Sequence, residues 1–195
     1  MNEDSDIFKI SSNKIKPHSG CILISEPFSQ DLFFGRSVVF IAEHNNDGTI
    51  GFILNRSTEI LVRDVIEDFE TTNLLASLGG PVATNSVHFI HSLGNIPGCT
   101  KIIENLYWGG DFDVIKSLVM NGLATEKTIR FFIGYSGWEP GQLESEIKRN
   151  SWLVSDLNST EILSVSGKDA WKFALNKLGD NYKSWLNFPE NPNLN

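Results

Sequence analysis

The chain has 195 residues and a formal net charge of −8, with 41% hydrophobic and 11% aromatic residues; this is enough for one sizeable domain and too apolar for a disordered chain. The longest uninterrupted apolar run, Val38 to Ala42, is far short of the roughly 20 residues that span a bilayer, and the acidic start Met1-Asn2-Glu3-Asp4-Ser5-Asp6 lacks the basic and apolar stretches of a secretory leader, so a cytoplasmic protein is expected. Cys21 and Cys99 have no CxxC neighbour, which disfavours a disulfide framework or a thiolate zinc site, and the excess of acid disfavours broad binding to nucleic-acid phosphates.

Residues 1–17 read as a flexible polar lead-in, 18–186 as a single domain and 187–195 as a flexible tail. Cys21 to Ile24 is a short apolar run that suits a buried strand. Ser37–Glu43 and Ile50–Asn55 are β-branched and aromatic, and the intervening His44-Asn45-Asn46-Asp47-Gly48-Thr49 supplies an Asp-Gly turn, so 37–55 is predicted as an antiparallel hairpin. Both arms are apolar at consecutive positions, which predicts cover on both faces. Leu61, Val62, Val65, Ile66 and Phe69 fall at helical spacing and predict an amphipathic helix over 60–69, with Asp64 and Asp68 on its solvated face.

Strands are predicted at 87–90 and within 101–108. Asp111 suits the cap of a helix carrying Val114, Ile115, Leu118 and Val119, with Gly122 just past its end. Residues 128–135 alternate, with Ile129, Phe131 and Ile133 on one face and Arg130 and Phe132 on the other. A glycine-containing turn over 134–139 then leads to a helix with Pro140 at its first position and Leu143 and Ile147 one turn apart. Trp171, Ala174, Leu175 and Leu178 make a last helical stripe, closed by Gly179. Hairpins and isolated helices without regular βαβ alternation predict an α+β fold.

Three segments carry the candidate chemistry. In Gly134-Tyr135-Ser136-Gly137-Trp138, Ser136 invites comparison with a nucleophile elbow, but Trp138 stands where the second glycine belongs. Gln142 suits a capping-box contact back to the chain ahead of the helix, and Glu144 is a weak general-base candidate. In Gly51 to Arg56, Asn55 suits a structural role at the hairpin end; Arg56 suits either a bidentate anion contact or, more readily, an ion pair with an acidic helix. Gly79-Gly80-Pro81 makes a sharp turn, and Ala83-Thr84 supplies no lysine for a phosphate loop. His88 and His91 sit on one strand with an odd offset and point to opposite faces, so no metal site is expected from them.

Taken in order, Cys21-Ile22-Leu23-Ile24 before Pro27, Phe34 through Arg36-Ser37-Val38-Val39, Glu43-His44 before the Asn/Asp-Gly turn, Gly51 to Arg56, Gly79-Gly80-Pro81-Val82, His91-Ser92, Gly134-Tyr135-Ser136-Gly137-Trp138, Gly141-Gln142-Leu143-Glu144 and Trp152 resemble the YqgE/AlgH family over about residues 20–178. Two positions depart from its pattern: Ser57 stands where a proline commonly follows Asn-Arg, and Glu139 stands at an often small position, which disfavours an anion at that turn. The resemblance implies an α+β fold with a branched, mostly antiparallel sheet and a small barrel-like part, flanked by helices. It implies no settled reaction, although one member name carries a role in transcriptional regulation.

Without a nucleophile–base–acid set, no catalytic residue, metal or cofactor is expected. The leading reading is a non-enzymatic protein-interaction or regulatory module, with an unidentified protein partner and a surface drawn from Asn55, Arg56, Gly79, Gly80, Pro81, His91, Tyr135, Ser136, Trp138 and Gln142. A small-ligand or hydrolase-like site requires Asn55, Arg56, Gly80, His91, Ser136 and Gln142 to converge on one pocket. Direct DNA binding as a transcriptional regulator is the third reading, disfavoured by the charge.

Overall fold

Alternation of side chains along a strand lets one apolar run face two cores, and the first strands use both. The computed structural model describes residues 13–70 and 72–188. Residues 1–12 of the expected lead-in and 189–195 of the expected tail lie outside the described residues. Strands β1 (Cys21–Ser25), β2 (Val38–Asn45) and β3 (Gly48–Ile53) are antiparallel, with Asn45 opposite Gly48 at the Asp-Gly turn, as the sequence predicts. Ile22 and Ile24 of β1 face a core with Phe40, Phe52, Phe132 and Trp171, whereas Cys21 and Leu23 face another with Ile41, Trp138, Leu143 and Trp152. The prediction that both faces are covered therefore holds. In its core the Cys21 thiol is pushed up to about 12 by burial.

The helix predicted over 60–69 is corrected. Residues Ser57–Leu61 form strand β4, helix α1 covers only Val62–Val65, and Glu67–Phe69 is a 3-10 turn. Ile66 is extended (φ −132°, ψ 104°) and breaks the helix. The β-branched Ile60, Val62, Val65 and Ile66 suit a strand as well as a helix, and β4 finds its partner in β5 (Leu75–Leu78) through Ser57–Ser77 and Leu61–Leu75. Val62 and Phe69 are still buried, in a third core with Phe89, Ile115 and Phe131, and Ile66 packs against it, but Val65 is exposed, so only part of the predicted stripe faces a core.

Beyond β6 (Val82–His91), strands β7 (Cys99–Ile103) and β8 (Leu106–Gly109) form a hairpin. Asp111 caps α2 (Phe112–Met120) by accepting from the N–H groups of Asp113 at 3.0 Å and Val114 at 3.1 Å, and Gly122 follows with φ +70°. Strand β9 (Ile129–Trp138) runs on through 134–138, which corrects the expected turn there. Ser136 pairs with Gly51, Gly137 with Ile50 and Trp138 with Thr49, so a third strand holds this segment extended. The turn falls instead at Glu139–Gly141, and α3 (Gln142–Lys148) begins two residues after Pro140. Strand β10 (Trp152–Asp156) and helix α4 (Ser159–Ser164) had no sequence signal, whereas α5 (Ala170–Lys177) follows its predicted stripe.

The sheet order is β10-β1-β2-β3-β9-β6-β8-β7, and β9 also carries β5 in parallel along Phe131–Ile133. The sheet therefore branches on β9. It is strongly curled into a half-barrel with helices against it, which is an α+β fold. No helix among the described residues is long and apolar enough to cross a membrane.

Candidate functional site

The glycines of the sequence motifs meet where the sheet branches. Gly79 and Gly80 run against the backbone of Gly134–Ser136 so closely that a Cβ on Gly79 would lie 2.3 Å from the Gly134 carbonyl oxygen. Gly79 N–H donates to the Ile133 carbonyl at 2.8 Å, and the Gly79 carbonyl accepts from Ile53 N–H at 2.9 Å and from the Ser136 hydroxyl at 3.0 Å. Ser136 is fully buried and its proton points into this crossing. Asn55 works in the same way: its carbonyl oxygen accepts from Val38 N–H at 2.9 Å and its amide donates to the Arg36 carbonyl at 2.8 Å. Arg56 donates to the Gly35 carbonyl, and burial lowers its pKa; the ion pair expected with an acidic helix is replaced by this backbone contact.

The Trp138 indole is turned inward and 6% exposed. Its N–H donates to Oε2 of Glu146 at 3.0 Å, and the Trp152 N–H reaches the same oxygen at 2.8 Å. Gln142 Nε2 donates to the other oxygen at 2.9 Å, while its Oε1 accepts from Glu139 N–H at 3.0 Å, which is the back-reaching contact predicted for it. Glu146 thus ties β9, α3 and β10 together, and sequence reasoning missed it. The useful signal is the four-residue spacing of Gln142 and Glu146 on one helix face.

His91 is fully buried. Its Nε2 lies 2.9 Å from the Gly109 carbonyl, which only accepts, and its Nδ1 accepts from Leu93 N–H at 3.3 Å. Both contacts require the neutral tautomer with hydrogen on Nε2, and burial holds the pKa below the ordinary imidazole value. Burial lowers that of His88 as well. An unfolded chain therefore takes up protons below pH ~6.5 that these folded histidines refuse. Stability is expected to fall as the pH drops from 7 to 5, with His91→Gln flattening part of the slope. Denaturant midpoints at both pH values check this, and equal slopes for the variant and the unmodified chain would refute it.

The predicted residues do not share one pocket. Gly79, Gly80 and Ser136 meet at the branch, Asn55 bonds Val38 and Arg36 at the start of β2, and His91 packs on Tyr107 beside Gly109. His44 contacts the Thr49 hydroxyl at 2.7 Å and Glu144 at 3.6 Å. Pro81 is exposed. Tyr135, Trp138 and Gln142 do line a common groove of about 580 Å³, between the β2–β3 turn and the 139–141 turn. Glu43, Asp47 and Glu139 also line it, and the Asp47 and Glu139 carboxylates have no partner among the described residues. Among those residues no three His, Cys, Asp or Glu side chains cluster as metal ligands.

Arg130 is the second residue that sequence reasoning passed over. It is 8% exposed on β9. Its guanidinium donates to the Val165 carbonyl at 2.6 Å and to the Ile162 carbonyl at 3.3 Å, both at the C-terminal end of α4, and also to the Leu54 carbonyl and the Ser77 hydroxyl. A cation suits that end of a helix. Alternation alone marks Arg130 as sharing Phe132's face but not as buried.

Comparison with known proteins gives the same frame. A UPF0301 protein of Bacteroides thetaiotaomicron is 47% identical over 196 residues, and one of Parabacteroides distasonis is 46% identical over 198, each match covering 100% of both chains. The X-ray structure of a Corynebacterium diphtheriae protein superposes with a TM-score of 0.73 at 26% identity, covering 89% of this chain and 94% of that one. The solution structure of the AlgH protein from Pseudomonas aeruginosa gives 0.69 at 25% identity, covering 90% and 98%. The family model DUF179, described as AlgH-like, matches residues 22–183. Bound by that match and by full-length relatives, the chain belongs to the AlgH-like family.

Proposed function

We propose that the protein is a non-enzymatic cytoplasmic interaction module that docks a basic segment of a partner protein in the groove between the β2–β3 and 139–141 turns. The observation that carries this reading is the contrast between two sets of polar groups. Those of Asn55, Arg56, His91, Ser136 and Trp138 are engaged inside the fold. Those of Asp47 and Glu139 are exposed along a groove that also offers Val82, 36% exposed, and the Tyr135 ring. Carboxylates at a groove rim steer and select cationic partners, and an apolar floor adds burial once they dock.

The test is fluorescence anisotropy with a labelled decapeptide of alternating Lys and Leu. Binding is expected to weaken on raising salt and to fall at least ~10-fold in the Asp47→Lys, Glu139→Lys double variant. Equal binding by the variant would remove the groove from the account. Tight, salt-sensitive binding of duplex DNA by the unmodified chain would favour the regulator reading instead.

A further inference from the structure

A cavity of about 630 Å³ lies between β4–β5, the start of β9 and α4, and shares no residue with the acidic groove. Arg130 lines it. The carbonyls around this guanidinium satisfy its hydrogen bonds but bring only partial charges, and no carboxylate pairs with it among the described residues. Burial without a counter-charge lowers its pKa to about 10. A buried cation in this state is favoured further by any full negative charge brought beside it.

The donors to receive such a charge are present. Ser77 is buried and its oxygen accepts from Arg130 at 3.4 Å, which leaves its own proton free to donate. Ser57, Thr160 and Ser166 line the same cavity, with hydroxyls that have no partner among the described residues. Lys127 adds a second cation that has no acid against it. Leu74, Ala76, Ile129 and Leu163 supply the apolar wall. Glu126 is the one carboxylate on the lining, and it disfavours a doubly charged group.

We propose that this cavity is a binding site for a compact amphipathic monocarboxylate, its anion held by the Ser77 hydroxyl and Lys127 beside Arg130 and its apolar body laid along Leu74, Ile129 and Leu163. The volume is of the size that small-molecule sites use. The reading does not depend on the acidic groove, since the two sites carry opposite charge preferences.

The experiment is calorimetric titration of the full chain with sodium octanoate, and with octylamine as a probe of the same length and opposite charge. Octanoate is expected to bind saturably at one site and octylamine not to bind there. Ser77→Ala and Lys127→Gln are each expected to weaken octanoate by ~5-fold, the effect of one hydrogen bond or one partly exposed charge. Thr160→Trp, a change at an exposed helix position, is expected to abolish binding by occupying the cavity. Octylamine that competes with octanoate for the same site, no octanoate binding, or octanoate binding unaffected by Thr160→Trp would each overturn the proposal, whereas octylamine bound in the acidic groove leaves octanoate undisturbed. The two-probe comparison needs no variant and so stands even where a substitution impairs folding.

Discussion

Gly80→Ala is expected to cost more than about 4 kcal/mol, enough to leave little soluble folded protein. The main reason is a backbone approach, added to a φ of +158° that residues with a Cβ rarely adopt. A Cβ on Gly80 would lie 2.3 Å from both the carbonyl carbon and oxygen of Tyr135 and 2.5 Å from Ser136 N. Those atoms belong to β9 where it is paired to β6 through Val82–Tyr135 and to β3 through Gly51–Ser136, so neither side can yield. Gly122→Ala separates this from simple loss of glycine freedom. Gly122 also has positive φ, +70°, but nothing lies within 4 Å of its added Cβ, so about 1 kcal/mol is expected there. Denaturant unfolding of both variants reads the difference, and similar costs would mean that the close crossing of chains is not what Gly80 provides.

That crossing also explains which features the sequence made legible. The β2–β3 hairpin, α2 and α5 rest on local chemistry: an Asp-Gly turn, the Asp111 cap and the stripe ending at Gly179. The segment 57–69 was ambiguous because Ile60, Val62 and Val65 fit both periods, and only pairing with β5 decides for strand at 57–61. Strand β5 itself is four residues whose parallel neighbour lies more than fifty residues on, where no local signal reaches. For the motif residues, sequence reasoning assigned structural roles to the glycines and Asn55, which matches the hydrogen bonds of Asn55 and Gly79, but it also drew Asn55, Gly79 and Gly80 into a candidate binding surface, and all three are buried. It did not find the partners. Glu146 gathers two indoles from separate strands, and Arg130 gathers carbonyls from two distant segments; such contacts exist only after the chain has folded.

Arg130→Met is expected to destabilise the protein by about 2–4 kcal/mol. Methionine keeps most of the side-chain length and its packing near Phe132, whose ring centre lies 5.2 Å from the guanidinium carbon. It therefore isolates the polar contribution from the loss of volume. What disappears is the common donor to Leu54, Ile162 and Val165, three carbonyls that face a buried site. Two of them close the end of α4, a six-residue helix too short to persist without tertiary support. Loss should thus be local first: amide exchange at Ile162 and Val165 should accelerate more than exchange in β2. Arg130→Lys keeps the charge but not the planar fork, and one ammonium cannot reproduce the same spread of contacts. It should fall between the two, at roughly half the cost. If Arg130→Met instead lies within ~0.5 kcal/mol of the unmodified chain, the guanidinium is not the link between β9 and α4, and the unbalanced charge in the neighbouring cavity loses its structural justification.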